Sequence, residues 1–261
     1  MCLIGVSMKQ NNEFPFIMAA NRDEFYERPT QKLHQWEDEP EILAGRDEVA
    51  GGTWMGMSQS GRIAALTNVR EVPGHENPKK SRGNIVRDYL GDPLLPAEDF
   101  LGKLNEEATL YDGFNLLAGT PDKLHYVSNR SSSTETLTKG IYGLSNGTLH
   151  SDWPKVRYLK RGMAELGNSL SRAELTERLF SLLQEADPFP DKHLPDTGVG
   201  MELERMLSPL FIQAESYGTR CSTILLMDDS GRLVMTERTF DGGNVRTRSE
   251  EITLSSNRGC P

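Results

Sequence analysis

MCLIGVSMKQNNEFPFIMAANRDEF, residues 1–25, sets the reading of the whole chain. Two apolar runs, Cys2–Met8 and Phe14–Ala20, flank the polar stretch KQNNE at 9–13. Strand-forming residues on both sides of a turn-forming segment predict a β-hairpin. Its return strand brings Asn21–Glu24 back level with Cys2. Cys2 follows the initiator directly, and a small second residue favours removal of Met1. A freed Cys2 would carry a thiol and an α-amine on one residue.

The same grammar recurs along the chain. TWMGMS and RIAALTN flank Gln59-Ser60-Gly61, FNLLAG and LHYVSN flank a Thr120-Pro121-Asp122-Lys123 turn, and STILLM and LVMTERTF flank Asp228-Asp229-Ser230-Gly231. Each predicts a further hairpin, so strands occupy both ends. Helical periodicity appears between them. Ser151 precedes a stripe of Val156, Leu159, Met163 and Leu166, and Ser171 with Glu174 forms a capping box ahead of Leu175, Leu179, Leu182 and Ala186. Residues 96–111 and 199–212 carry weaker helical patterns. Antiparallel hairpins from both ends with helices between them pack best as sheet on sheet with helices outside. The expected fold is α+β, a four-layer αββα sandwich of two antiparallel sheets.

At 261 residues, one domain spanning 1–261 is the economical reading. SSSTET at 131–136 reads as an exposed loop, and roughly the last 15 residues as a loose tail. Acidic residues (38) outnumber basic ones (29), and the net charge of −9 works against nucleic-acid and anionic-membrane partners. The sequence has neither a transmembrane-length apolar run nor a signal-peptide pattern, so a cytoplasmic address is expected. Cys2, Cys221 and Cys260 are odd in number and lack C-x-x-C spacing. His34, His75, His125, His150 and His193 lack H-x-x-x-H spacing. No metal site is expected. The oligomeric state is not encoded in any pattern.

Several segments hold residues suited to chemistry. A thiol titrates near ~8.5 and an α-amine near ~7.7–8, so a freed Cys2 amine could take its own thiol's proton without a histidine. Arg22 is a permanent cation able to lower a neighbouring thiol or hold a carboxylate. Asp23 and Glu24 alternate in facing, so one could orient the N-terminus while the other meets solvent. Within GGTWMGMSQSGRIAALTNVR (51–70), Gly51 and Gly52 permit close backbone approach, Asn68 offers an amide donor beyond an apolar strand, and Trp54 is by default core. Asn146 in YGLSNG (142–147) sits in a turn context, and Arg220 in YGTRCST (217–223) precedes an apolar strand, where it must reach solvent or an anion. Tyr217 and Cys221 read as core.

Together, MCLI, NRDE, the 51–70 block, YGLSNG and YGTRCST resemble the NRDE family, also called the transport and Golgi organisation protein 2 family, from residue 1 to about 240. That family resembles the N-terminal nucleophile hydrolases, the superfamily of penicillin V acylase and bile salt hydrolase, whose fold is the αββα sandwich. The resemblance implies Cys2 as nucleophile with Arg22 beside it, Asn68 and Asn146 around the oxyanion, and Arg220 as a second arginine. It implies hydrolysis of a small-molecule non-peptide amide through a thioester, with no cofactor required. Acylases of this kind carry an aspartate three residues after the arginine, where this chain has Phe25. The acids stand instead at Asp23 and Glu24. Family members are also linked to haem movement and to lipid or acyl-CoA metabolism, which implies an alternative. In that reading the protein carries haem or another hydrophobic anion, with Cys2 or a histidine on the iron and Arg22, Arg70 and Arg220 on the propionates, beside Trp54. The terminal Cys260-Pro261 dipeptide is a short, faint match to haem-responsive segments.

Overall fold

In a computed structural model, which describes residues 2–72, 80–131 and 134–254, the first hairpin has the expected register. Strands β1 (Cys2–Met8) and β2 (Phe16–Phe25) pair antiparallel from Met8 opposite Phe16 to Cys2 opposite Arg22. The strand runs on through Asn21–Phe25, so NRDE is part of the sheet.

The second sheet is a chain-order meander of β3 (Thr30–Gln35), β4 (Ile42–Asp47), β5 (Met55–Ser58), β6 (Ile63–Asn68), β7 (Phe114–Thr120), β8 (Lys123–Ser128) and β9 (Glu135–Leu137). The first sheet adds β10 (Gly140–Leu144), β11 (Tyr217–Met227), β12 (Arg232–Asp241) and β13 (Asn244–Thr253), in the order β10-β1-β2-β11-β12-β13. Five α-helices, α1 (Gly83–Gly91), α2 (Ala97–Glu106), α3 (Pro154–Ala164), α4 (Arg172–Leu183) and α5 (Met201–Met206), and two short 3-10 turns, Ala108–Leu110 and Asp191–His193, complete the described residues. None is long and apolar enough to cross a membrane.

Alternation along β1 and β2 explains the layering. Leu3, Ile17 and Ala19 face α3 and α4, meeting Val156, Leu159, Met163, Leu175, Leu179 and Phe180. Ile4, Val6, Met8, Phe16, Met18 and Ala20 point the other way, into a core shared with Met55, Met57, Ile63, Ala65 and Leu117 of the second sheet. That sheet's outer face packs Ile42, Ala64, Leu66 and Leu116 under Ile85, Val86, Tyr89 and Leu90 of α1 and Leu101 and Leu104 of α2. The order is helices, sheet, sheet, helices. Both faces of β1 are covered, so all seven of its residues are buried. Gly5 lets α3 lie directly on the strand, since a Cβ there would fall 2.4 Å from the Met163 sulfur.

Three sequence expectations need correction. Ser151 does not cap α3; Trp153 holds the N-cap position without a side-chain capping bond, Pro154 follows in the first turn, and the Ser151 hydroxyl accepts from the Thr148 amide. The helical pattern over 199–212 shortens to α5. The loose tail expected over roughly the last 15 residues is a strand as far as Thr253, because β13 pairs with β12 along its whole length. Cys260-Pro261, His75, Met1 and the middle of SSSTET lie outside the described residues.

Candidate active site around Cys2

Cys2 opens β1, opposite Arg22 of β2, and Arg22 is in turn opposite Cys221 of β11. Directly opposed residues of antiparallel strands share a face. The three side chains therefore form a row toward the second sheet, with the guanidinium between the thiols. Trp54, just before β5, closes the gap: the Arg22 guanidinium lies over its ring, 4.2 Å from the centroid. Glu24 approaches Arg22 at 4.0 Å. A cavity of about 150 Å³ opens here, lined by Cys2, Arg22, Trp54, Asn68, Arg82 and Gly83 among others. It sits where the end of β6 and the start of α1 meet the open end of the sandwich.

Charge inside this row is unevenly placed. Burial pushes the Cys2 thiol up, and Arg22 draws it part of the way back. Burial pushes Cys221 well up, next to Glu237, whose own carboxyl is raised by burial. Cys221 is therefore an inert core thiol, as its sequence context suggests. Among the described residues, no group of three or more His, Cys, Asp or Glu could hold a metal ion.

Asp23 points to the opposite face, toward the helices. Its carboxylate accepts from the Thr219 hydroxyl at 2.7 Å, and burial raises it. Beside it lies Lys155 of α3, fully covered, donating to the Leu207 carbonyl at 3.0 Å. Burial and the Arg70 charge bring this ammonium down to about 8.

Not every expected site residue joins the cavity. Asn146 is fully buried one step behind it, donating to the Asn68 carbonyl at 2.9 Å. Next to it, the Ser145 hydroxyl donates to the Cys2 carbonyl at 3.4 Å. Asn146 thus holds the ends of β6 and β10 together beneath Asn68. Arg70 is turned away, ion-paired in the interior with Glu204 of α5 and stacked on Trp153 at 4.8 Å. Glu204 also accepts from the Thr197 amide and hydroxyl at 3.0 and 2.5 Å.

Arg220 is displaced by a β-bulge, because the β11 register shifts between Thr219 and Cys221. It donates to the Phe25 and Arg28 carbonyls at 2.8 and 3.0 Å. It lines a cavity of about 560 Å³ with Tyr26, Phe211, Phe240 and Val245, and a smaller one of about 70 Å³ with Arg22, Trp54 and Cys221. Phe25 is half exposed and meets Tyr217 edge to face. It stands at the outer end of β2, away from Cys2.

Sequence reasoning missed Arg28, Asp47, Arg82 and Gly83, all on the cavity wall. Arg28 is clamped by Asp47 through bonds of 3.1 and 2.7 Å. Ser81-Arg82-Gly83-Asn84 precedes an apolar pattern of Ile85, Val86, Tyr89 and Leu90. That pattern was the available signal for a helix start at the site.

Comparison with known proteins agrees with this architecture. Residues 1–242 match the model of the family described as "Transport and Golgi organisation 2". The human "Transport and Golgi organization protein 2 homolog" is 36% identical over 279 residues, covering 98% of this chain and 100% of the relative. The Drosophila melanogaster "Transport and Golgi organization protein 2" is 27% identical, covering 93% of each. Among solved structures, the mutant C2A conjugated bile acid hydrolase from Clostridium perfringens is similar with a TM-score of 0.51 and 10% identity over 100% of both chains. The Caenorhabditis elegans ortholog of N-acylethanolamine-hydrolyzing acid amidase gives 0.51 and 10%, covering 86% of this chain and 92% of that one. At such identities the likeness shows the fold, that of the N-terminal nucleophile hydrolases.

Proposed function

The chain belongs to the transport and Golgi organisation 2 family, and from the geometry at its first strand we propose that it is a cysteine amidohydrolase acting after loss of Met1. The observation that carries this reading is the placement of Cys2 on a cavity wall directly opposite Arg22. Two structural neighbours are named for amide or conjugate hydrolysis. In the proposed reaction the freed α-amine of Cys2 takes the thiol proton. The thiolate sulfur adds to the carbonyl carbon of a small-molecule C–N amide, whose oxygen becomes an oxyanion beside the Asn68 amide. Collapse breaks the C–N bond as the ammonium group returns a proton to the departing nitrogen. Water then cleaves the thioester, giving the acid and restoring the thiol. Arg22 lowers the cost of the thiolate and Asn146 fixes Asn68. No step uses a cofactor. Cys2→Ala is expected to abolish hydrolysis with an unchanged circular dichroism spectrum and melting temperature. Undiminished turnover by that variant would reject the mechanism.

A second reading rests on the larger cavity, where Phe211, Phe240, Tyr26 and Val245 offer an apolar wall beside Arg220. A hydrophobic anion such as haem could be carried there, with a propionate on Arg220. No His or Cys lines this cavity among the described residues, so the anion would be held there by the apolar wall and Arg220. A saturable Soret shift weakened by Arg220→Gln supports this reading. Its absence rejects it.

A further inference from the structure

Three arginines line the Cys2 cavity, and they differ in what already occupies them. Arg28 is neutralised by its paired bonds to Asp47. Arg22 has a side chain only 6% exposed, its nearest ion-pair contact among the described residues is Glu24 at 4.0 Å, and its Nη1 is buried without a hydrogen-bond partner among them. Arg82 donates to the Gly113 carbonyl at 3.0 Å and forms no ion pair among the described residues. Of the acids near Arg82, Asp112 weighs most on its charge, and Glu71 is held by Arg130 through two bonds of 2.8 Å. The Asp23 carboxylate faces away, toward Thr219.

Behind Arg82 begins α1, nine residues long, with no acidic residue in its first turn and no capping side chain. Its first residue, Gly83, lines the cavity, so no side chain covers the turn there, although the Asn84 and Ile85 amides already donate to the Ser81 and Arg82 carbonyls at 3.1 and 3.0 Å. A helix start carries partial positive charge. Arg22, Arg82 and this turn converge on a space of about 150 Å³ whose wall also carries Asp23, Glu24 and Asp47, of which Asp47 is taken by Arg28 and Asp23 accepts from Thr219. A space of that size holds a carboxylate and a few more atoms, not a long chain.

We propose that Arg82, Arg22 and the first turn of α1 form a subsite for a carboxylate carried by the small half of the amide, which makes the substrate class N-acyl amino acids. This assignment rests on the amidohydrolase reading for its chemistry, while the anion subsite stands on its own geometry. Lodging the carboxylate on Arg82 leaves the amide bond between it and Cys2. Arg82 is then a specificity residue, bonding to the substrate but not to the reacting atoms.

The test pairs N-hexanoylglycine with the neutral N-hexanoylglycinamide. One charge-assisted contact should favour the acid by about tenfold in kcat/KM. Arg82→Gln should bring that ratio close to unity, chiefly through KM, and Arg82→Lys should restore part of it. Titration calorimetry on Cys2→Ala protein reads the same preference as affinity without turnover, and Arg82→Gln in that background should remove it. Should Arg82→Gln fail to fold, the acid-to-amide affinity ratio of the Cys2→Ala protein alone decides. Preferential binding of the acid with no hydrolysis of either compound would keep the subsite and reject the hydrolase. Equal binding and equal turnover of the two compounds would overturn the subsite.

Discussion

Gly51 and Gly52 are adjacent, yet alanine should harm them by different routes and to different degrees. Gly51 has φ of +72°, and a Cβ there meets nothing within 4 Å. Gly51→Ala should therefore cost only the left-handed backbone penalty, roughly 1–2 kcal/mol. A Cβ on Gly52 would lie 2.4 Å from the Gly83 carbonyl carbon, 2.6 Å from its oxygen and 2.8 Å from the Asn84 nitrogen. Ordinary contact begins near 3.4 Å, so the start of α1 must retreat by about 1 Å. The Thr53 amide bond to the Gly83 carbonyl, 3.1 Å long, opposes that retreat, as do Ile85, Val86, Tyr89 and Leu90. Overpacking of about 1–3 kcal/mol plus a lost hydrogen bond near 1 kcal/mol gives about 2–4 kcal/mol for Gly52→Ala. Urea denaturation of both variants measures the difference. The same displacement moves Arg82 and Gly83, so only Gly52→Ala should alter the alkylation rate of Cys2. Equal losses, or a larger loss for Gly51→Ala, would refute the close approach of α1 to this loop.

Lys155 supplies a pH-dependent prediction. Its folded value is down to about 8 from 10.5, so between those limits the unfolded chain binds more protons and stability climbs with pH. Its destabilising contribution is complete below pH 8 and gone above 10.5. Relative to Lys155→Met, the native protein should gain about 3 kcal/mol from pH 7 to 10.5 in urea titrations, and a flat difference would contradict the burial of that charge. The interior Arg70–Glu204 pair predicts strong non-additivity. Glu204→Leu should cost about 3–5 kcal/mol by leaving Arg70 charged and uncompensated, while Arg70→Met/Glu204→Leu costs less than the single change, as a double-mutant cycle would show.

Much of the first sheet is legible in sequence because β1, β2 and β11 are apolar runs bounded by turn residues, and the first hairpin alone sets Cys2 opposite Arg22. The Ser171–Glu174 capping box likewise marks the start of α4. β13 escapes pattern reading because NVRTRSEEIT is an edge strand with only Ile252 buried, and its order comes from pairing with β12. α1 opens on Gly83 with no capping side chain, so only the apolar pattern of Ile85, Val86, Tyr89 and Leu90 announces it. Arg82 stands far along the chain from Cys2, and only the closing of one sheet over the other unites them. The bulge between Thr219 and Cys221, beside Arg220, is a register event that residue alternation alone does not show.

The most direct test is a single-turnover trap on protein recovered from cells with its natural N-terminus. After mixing with N-hexanoylglycine and rapid acid quench, intact mass and peptide mapping report both the first residue and any adduct. The account predicts a chain that begins at Cys2 and carries a hexanoyl thioester on that sulfur, lost again on incubation at neutral pH. A chain that keeps Met1 and acquires no acyl group on Cys2 would contradict it.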